Sequence, residues 1–306
     1  MRIVVHGQQA FGKAVLDALL KRGDEVIAVY AAPEKEGQKA DPLKEAALAA
    51  GIPVYQPKSY RKPEVWEQFA ALKPDLQVMA YVTLFVPEEF LNIPTKGSIQ
   101  YHPSLLPRHR GPSSINWPII QGATKTGLTI FWPDNGLDTG PILLQKETPI
   151  KDDDTLGSIY FDRLFPMGVD AMLEAIDLVK AGKAPKIRQD ESQATYESWC
   201  KAEDVEIDWS RPQHQVWNLI RGANPQPGAW TKLNGKVLQI FDSAKGATAA
   251  GTKPGQVVEV TDSDFSIACG DGGRIVVKRA KLGDGPKQKA GELAAAAGLK
   301  PGTQLG

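Results

Sequence analysis

The sequence predicts an α/β protein in which a Rossmann-like, mostly parallel sheet is followed by a smaller β-barrel. Over the first two thirds of the chain, short β-branched runs alternate with segments whose apolar residues have helical spacing. From residue 206 onward, one helix precedes short strands that Gly, Asp and Asn turns separate. Because 306 residues are many for one hydrophobic core, we expect two domains, at residues 1–200 and 201–306.

The first predicted unit is a strand, a helix and a second strand, which together form a crossover between parallel strands. These elements comprise residues 2–6, 10–22 and 25–31, and Gly23 ends the helix. The turn after the first strand contains Gly7 and Gly12 but has no glycine at position 9. It therefore lacks the dinucleotide fingerprint, and we do not expect NAD as a cofactor.

The alternation continues to residue 181 and then changes. Helices are predicted near residues 41–50, 63–72, 87–92, 113–121 and 155–181, and strands at residues 52–56, 76–82, 97–102, 127–134 and 140–150. Residues 182–199 lose this periodicity and are interpreted as a linker or domain boundary. The smaller domain is predicted to contain a helix at 211–223 and strands at 236–243, 255–261, 265–270 and 274–282.

The composition excludes several classes of protein. Lys plus Arg and Asp plus Glu both number 36, so no strong net field attracts nucleic acid or an anionic membrane. Cys200 and Cys269 are too few for a disulfide framework and lack the spacing of a zinc site. No apolar run approaches the roughly 18 residues of a membrane span, and the first residues show no signal peptide. We expect a soluble cytoplasmic protein with no metal, no membrane partner and no stable protein partner.

The segment "YHPSLLPRHRG", residues 101–111, places a titratable ring at the predicted end of a strand. Pro103 restricts the backbone of His102 to an extended conformation. Ligands of such sheets bind beyond the carboxyl ends of the strands, where His102 is expected to lie. The structural alternative is a histidine whose ring nitrogens only satisfy neighbouring carbonyl groups.

A second polar segment, "WPDNGLDTGPIL", follows another predicted strand. Asp134 and Asp138 flank a turn, and Gly136 and Gly140 permit sharp backbone reversals. A carboxylate beside a histidine can accept a proton from an attacking nucleophile while the imidazole stabilises developing negative charge on oxygen. The alternative is a polar turn, since a calcium loop needs more oxygen ligands.

Together these segments resemble the formyltransferase family that uses 10-formyltetrahydrofolate. The residues that carry the resemblance are "HPSLLPRHRGPSSINWPIIQG" and "TGLTIFWPDNGLDTGPILLQ", which are similar to the family's Asn-x-His-Pro-Ser-Leu-Leu-Pro and Asp-x-Gly-x-Asp-Thr-Gly signatures. The segment "IDWSRPQHQVWNLIRGANPQPGAWT" resembles the beginning of its smaller carboxy-terminal domain. The resemblance implies the formyltransferase fold with an OB-like carboxy-terminal barrel.

By this resemblance, His102 is the catalytic histidine and Asp138 the catalytic aspartate. The family's asparagine falls on Gln100, which keeps the amide but adds one methylene and so reaches a different point. The implied reaction is attack of water or an amine on the formyl carbon of 10-formyltetrahydrofolate. Asp138 would take the nucleophile's proton, and His102, with Gln100, would stabilise the oxyanion. Losing one such donor costs about 3 kcal/mol of transition-state stabilisation.

The resemblance also implies where the folate binds. The apolar wall for the pteridine ring would consist of Val82, Leu84 and Phe85. Backbone groups of the loop in the segment "WPDNGLDTGPIL" would lie opposite this wall. The loop residues concerned are Asp134, Gly136 and Leu137. From composition alone, the segment "YVTLFV" is more typical of a buried core than of a binding wall.

The acceptor divides the family into branches. Residues 31–47 mix acidic and basic side chains, which makes a poor phosphate clamp for tRNA. The segments "KADPL" and "YFDRLFPMGVDAM" resemble the hydrolase domain of 10-formyltetrahydrofolate dehydrogenase, whereas the ending "GLKPGTQLG" resembles methionyl-tRNA formyltransferase. We expect cleavage of the formyl group with water or a small amine as acceptor.

Three alternatives stay open at this stage. They are methionyl-tRNA formyltransferase, with initiator tRNA as partner, a formyltransferase for amines of nucleotide-linked sugars, and a non-catalytic folate- or RNA-binding module. Arg108 and Arg110 also have open roles. They would meet the folate's glutamate tail, an acceptor phosphate or carboxylates of the protein itself.

Overall fold

A computed structural model describes residues 1–34, 37–248 and 250–306. Its contacts divide the chain into two compact units, each built from three segments. The first unit comprises Met1–Gly111, Gly127–Thr148 and Arg163–Tyr196, and the second comprises Pro112–Thr126, Pro149–Asp162 and Glu197–Gly306. The expected domain boundary between residues 200 and 201 stays a prediction.

The first two thirds of the chain build a seven-stranded sheet with helices between the strands. In chain order the elements are β1 (Ile3–Gly7), α1 (Gln9–Arg22), β2 (Val26–Ala31), α2 (Pro42–Ala49), β3 (Val54–Tyr55), α3 (Pro63–Ala71), β4 (Leu76–Ala80), α4 (Glu88–Leu91), β5 (Ser98–His102), α5 (Asn116–Ile120), β6 (Lys125–Phe131), β7 (Ile142–Pro149), α6 (Leu156–Ile159) and α7 (Phe165–Lys180). The strand order is β3-β2-β1-β4-β5-β6-β7. Within this order, the five strands β3, β2, β1, β4 and β5 pair in parallel, and β6 runs antiparallel to β5. The predicted mostly parallel sheet is therefore confirmed.

Apolar spacing and glycine placement explain the beginning of this sheet. The buried face of α1 carries Phe11, Val15, Leu16 and Leu19, at the helical spacing that the sequence predicts. A Cβ atom on Gly7 would lie 2.1 Å from the Ala80 carbonyl oxygen, so only glycine allows β1 and β4 to approach this closely.

One predicted helix is wrong in detail. The expected continuous helix over residues 155–181 is divided into α6, a π-helical turn at Tyr160–Leu164 and α7. Pro166, in the first turn of α7, has no N–H and cannot donate to the residue four positions earlier. Thr155 and Ser158 cap α6 reciprocally, with Oγ contacts of 3.1 and 2.9 Å.

A buried polar string crosses the centre of the sheet. His6 Nδ1 lies 2.7 Å from Gln77 Nε2, and Ser98 Oγ lies 2.9 Å from Gln77 Oε1. Because the amide donates to Nδ1, neutral His6 carries its proton on Nε2. Burial lowers the pKa of His6 to about 3, so the ring is uncharged near neutral pH.

The carboxy-terminal part of the chain is mainly antiparallel sheet. Its elements are α8 (Gln213–Gly222), β8 (Ala229–Leu233), β9 (Lys236–Ile240), β10 (Ser243–Gly246), β11 (Val257–Val260), β12 (Phe265–Ala268), β13 (Arg274–Val277), β14 (Arg279–Leu282), β15 (Gln288–Lys289) and α9 (Ala290–Ala297). They form two four-stranded sheets, β10-β13-β12-β11 and β15-β14-β9-β8, as expected for a small barrel domain. The run predicted as one strand at 274–282 bends at Lys278 and supplies both sheets. No helix in the described part of the chain is long and apolar enough to cross a membrane.

Candidate active site

His102 is the last residue of β5 and is buried, with 6% of the residue exposed. The strand pairs with β6 so that His102 lies opposite Thr129. Ring atom Nε2 is 2.8 Å from the carbonyl oxygen of His109. Since a carbonyl only accepts, Nε2 is assigned as the protonated nitrogen, which leaves Nδ1 to exchange protons.

Asp138 meets the free ring nitrogen of His102. Its Oδ2 atom lies 3.6 Å from His102 Nδ1, which is close enough for an ion pair but longer than a hydrogen bond. The same oxygen accepts the backbone N–H of Gly111 at 2.8 Å. Asp138 is 9% exposed and has a left-handed backbone, with φ of 56°. Two chain segments therefore bring a partly desolvated carboxylate and an imidazole together.

The loop that carries Asp138 is closed by its own contacts. Asp134 Oδ1 accepts the N–H of Gly136 at 3.0 Å and the hydroxyl of Thr139 at 2.6 Å. A Cβ atom on Gly140 would lie 1.7 Å from the Trp132 carbonyl oxygen, so glycine is required where the loop closes. At the tip, the Leu137 side chain is 56% exposed. The loop thus buries its carboxylate while presenting an apolar side chain to solvent.

Gln100 lies two residues before His102 on β5, so both side chains share one face of the sheet. Its backbone is paired with Met79 on β4 and with Phe131 on β6. The side chain is half-buried. Among the described residues, none forms a hydrogen bond with its amide. That amide is therefore available to a ligand.

The predicted apolar wall leaves the sheet beside this pair. Because Met79 pairs with Gln100, residues that follow Ala80 emerge next to the end of β5. Within the segment Val82 and Leu84 are half-buried against a hydrophobic cluster, whereas Phe85 is 50% exposed. The Arg61 guanidinium lies 4.9 Å above the centre of the Phe85 ring. The segment therefore combines core packing with an exposed aromatic surface.

Sequence reasoning missed the backbone groups that contact the pair, the His109 carbonyl and the Gly111 N–H, because backbone groups leave no compositional signal. It also left the two arginines open. Arg110 is fully buried and pairs with Glu191, a carboxylate of the protein itself. Arg108 donates to Gln193 at 3.1 Å. In the described part of the chain, no three His, Cys, Asp or Glu side chains are grouped so as to hold a metal ion.

Comparison with known families agrees with this arrangement. The sequence profile described as formyl transferase matches residues 1–176, and that of the formyl transferase C-terminal domain matches residues 200–298. The chain belongs to the formyl transferase family. The resemblance predicted from the two signature segments and the predicted fold class are therefore confirmed.

Relatives within the formyl transferase family differ in their described activity. Cytosolic 10-formyltetrahydrofolate dehydrogenase of Xenopus laevis is 42% identical over 93% of this chain, which spans only a third of that relative's length. Methionyl-tRNA formyltransferase of Geotalea uraniireducens is 40% identical over all of this chain and 98% of that protein. Among solved structures, HypX from Aquifex aeolicus in complex with tetrahydrofolic acid is similar, with a TM-score of 0.70 and 20% sequence identity. The match covers 97% of this chain and 47% of the HypX chain. The acceptor of this family member is left open by these relatives.

Proposed function

We propose that this formyl transferase cleaves the formyl group of 10-formyltetrahydrofolate and passes it to water, releasing tetrahydrofolate and formate. The observation that carries the proposal is the His102 Nδ1 to Asp138 Oδ2 contact of 3.6 Å at the carboxyl end of β5. A base and an acid in contact supply the two proton transfers that acyl transfer from nitrogen needs. A cytoplasmic location, without a membrane, metal or NAD, stays a prediction.

The first step assigns a proton to Asp138. Water attacks the formyl carbon, a C–O bond forms, and the carboxylate of Asp138 accepts the proton that water loses. The Gly111 N–H, which donates to Oδ2 at 2.8 Å, orients the carboxylate for this transfer. The product of this step is a tetrahedral oxyanion on the formyl carbon.

The second step uses His102. Because Nε2–H is engaged by the His109 carbonyl, a proton for the oxyanion or for the leaving nitrogen has to come from Nδ1, which requires the protonated ring. Protonation of N10 by this ring allows the C–N10 bond to break while the oxyanion re-forms a C=O bond, giving tetrahydrofolate and formic acid, which loses its proton to solvent to become formate. Asp138, which holds the proton of water after the first step, can then return a proton to Nδ1 of His102, 3.6 Å away, so that both groups recover their starting states.

Gln100 completes the proposed oxyanion site. Its amide has no partner among the described residues and lies on the face of β5 that carries His102. We assign its NH₂ group to the formyl oxygen. Gln100 would thereby take the role of the family's asparagine, with a side chain that is one methylene longer.

We assign the folate to a site between two segments that flank the catalytic pair, the apolar segment after β4 and the loop that carries Asp138. Val82, Leu84 and Phe85 form the pteridine wall, and the exposed ring of Phe85 supports this role. Backbone groups of the loop lie opposite, at Asp134, Gly136 and Leu137. The internal hydrogen bonds of Asp134 keep that loop in one conformation.

The charges of residues 31–47 favour water over tRNA as acceptor. In this segment Lys44 is neutralised by Glu34 at 2.6 Å and Asp41 caps α2, so these charges are used internally. Lys35 and Glu36 lie outside the described residues. A segment with paired charges is a poor clamp for a phosphate backbone.

The second candidate is methionyl-tRNA formyltransferase, because the relative of that name matches over 98% of its length. The test is to incubate the protein with 10-formyltetrahydrofolate alone and follow formate. Release of formate at a steady rate without acceptor supports hydrolysis. Formylation of Met-tRNA, with negligible formate in its absence, would replace the proposal with this second candidate.

A further inference from the structure

The residue between the two backbone groups that touch the catalytic pair is a completely buried arginine. The Arg110 guanidinium donates from Nε and Nη2 to Gln189 Oε1 at 3.1 and 2.8 Å. It also donates to both carboxylate oxygens of Glu191, at 2.9 and 2.7 Å, and to the hydroxyl of Tyr196. All five N–H groups of the guanidinium are therefore engaged. Arg110 in turn holds the pKa of Glu191 below its usual range.

Gln189 connects this arginine to the loop of Asp138. Its Nε2 atom donates to the backbone carbonyls of Asp138 and Gly140, at 2.8 and 2.7 Å. Its Oε1 atom accepts the two bonds from Arg110, so each polar atom of the amide has its partners. A flipped amide would direct Oε1 at two carbonyls and NH₂ at a cation. The side chain, 4% exposed, therefore has only one favourable orientation.

The hydrogen bonds from Gln189 hold the loop at Asp138, where the backbone is left-handed. Asp138 has φ of 56°, a left-handed conformation that costs free energy for a residue with a Cβ atom, although aspartate adopts it more readily than most residues. The two carbonyls that receive the amide lie on both sides of Thr139. Gln189 thus fixes the direction in which the Asp138 side chain leaves the loop.

The neighbours of Arg110 touch both members of the pair. The His109 carbonyl receives the His102 ring at 2.8 Å, and the Gly111 N–H donates to the Asp138 carboxylate at 2.8 Å. The backbone N–H of Arg110 donates to the Thr195 carbonyl at 3.0 Å, and Thr195 Oγ1 accepts the N–H of His109 at 2.8 Å. The contacts of Thr195 therefore support the backbone segment that touches both catalytic side chains.

We propose that Gln189 and Arg110 are positioning residues, which hold the carboxylate of Asp138 against Nδ1 of His102. The expected effect on kcat rests on the proposed function of His102 and Asp138. Neither residue contacts the reacting atoms in this assignment. Their effect passes through the backbone of the loop and through the segment 109–111.

The matched variants are Gln189→Glu and Gln193→Glu. Both keep an acceptor for an arginine and replace an amide by a carboxyl group, but among the described side chains Gln193 hydrogen-bonds only with the exposed Arg108. A displacement near 1 Å can cost about a hundredfold in rate, so we expect kcat of Gln189→Glu to fall between tenfold and a hundredfold. The Kd for tetrahydrofolate should stay within threefold of the wild type. Gln193→Glu should match the wild type in both.

A readout that needs no turnover is the ¹⁵N spectrum of the histidine rings. The chain has four histidines, so single substitutions assign the signals. The Nδ1 resonance of His102 should move in Gln189→Glu and stay in place in Gln193→Glu. Should the wild type lack turnover, the proposed function fails, yet this comparison still decides the positioning role.

Arg110→Lys provides the second test if Gln189→Glu does not fold. It keeps the charge beside Glu191 but loses the fork that holds Gln189, so the same His102 resonance should move. An unchanged resonance with wild-type kcat in either folded variant overturns the inference. A loss of folate affinity as large as the loss of kcat also overturns it, since the residues would then shape the binding site.

Discussion

At the scale of single residues, the site depends on which nitrogen of His102 is free. The His109 carbonyl engages Nε2, so only Nδ1 can transfer a proton, and it faces Asp138. The sequence offers these two residues as candidates because one lies at the end of a predicted strand and the other flanks a glycine-containing turn, and the family resemblance implies their catalytic roles. It does not predict the tautomer, since that depends on the carbonyl of His109, seven residues away, where the backbone is left-handed with φ of 57°.

Removal of the charge of Asp138 is the most direct residue-scale prediction. In Asp138→Asn the amide oxygen can still accept the Gly111 N–H, but the side chain cannot accept a proton from water. We expect kcat for formate release to fall by at least about a hundredfold, with the Kd for tetrahydrofolate within threefold. The control is Asp177→Asn, an exposed partner of Arg22. A kcat within threefold of wild type in Asp138→Asn would show that another group is the base.

Gln100 gives a second prediction at this scale. If its amide donates to the formyl oxygen, Gln100→Leu loses a donor worth about 3 kcal/mol, or about a hundredfold in kcat. Gln100→Asn moves the amide back by one methylene, so it should keep part of this rate. The measurement is kcat for all three proteins at saturating donor. Equal rates for Gln100→Leu and wild type would remove Gln100 from the mechanism.

At the scale of elements, the sequence predicted strands and helices well and the catalytic surroundings less well. The apolar spacing of α1 and the β-branched run of β1 are local patterns, and both elements formed near the expected residues. Residues 182–199 have no periodicity, which predicts a linker or domain boundary. Their function in the fold comes from contacts such as that of Gln189 with Arg110, 79 positions earlier, which no local pattern records.

The strands β8, β10 and β15 were not predicted, nor was α9. β8 and β10 are four or five residues long and contain lysine, and β15 has only two residues. Short runs of this kind carry too little alternation to be recognised. Antiparallel neighbours determine that they are strands, as in the pairing of β8 with β9.

The polar string between β1, β4 and β5 predicts how stability depends on pH. Neutral buried His6 has a pKa of about 3, whereas in the unfolded chain it takes up a proton near pH 6.5. The unfolded state therefore binds more protons below pH 6.5, and stability is lost as pH falls from there toward 3. Between pH 7 and pH 5 this amounts to about 2 kcal/mol.

The measurement is the free energy of unfolding from urea titrations at pH 7 and pH 5. His6→Phe should show a decrease on acidification that is smaller than that of wild type by about 2 kcal/mol. Its absolute stability at pH 7 is not the test, because the Gln77 amide loses a partner. His214→Gln, at an exposed position, should keep the wild-type difference. An equal pH response in His6→Phe and wild type would mean that His6 takes up its proton over the same pH range in the folded protein as in the unfolded chain.

At the scale of the whole molecule, the charge distribution bears on the acceptor. The 36 basic and 36 acidic side chains give a net charge of zero, so binding of a polyanion has to depend on local groups. One cluster of basic side chains lies on the sheet that contains β14 and β15, where Arg279 is opposite Lys289. Lys281 follows on the same face of β14, opposite Gln239 of β9. These cations provide a defined test of RNA binding.

The double substitution Lys281→Glu and Lys289→Glu therefore separates the two candidate functions. A hydrolase uses a small folate donor, so formate release should stay within twofold of wild type. Binding of tRNA through several phosphates would instead weaken by about a thousandfold or more between 50 and 200 mM salt, and the loss of two cations would make this dependence less steep. Anisotropy of labelled Met-tRNA at both salt concentrations measures this dependence. A steep dependence that the substitutions reduce, with formyl transfer to the tRNA, would favour the tRNA formyltransferase, because the released formyl group would then have a bound acceptor.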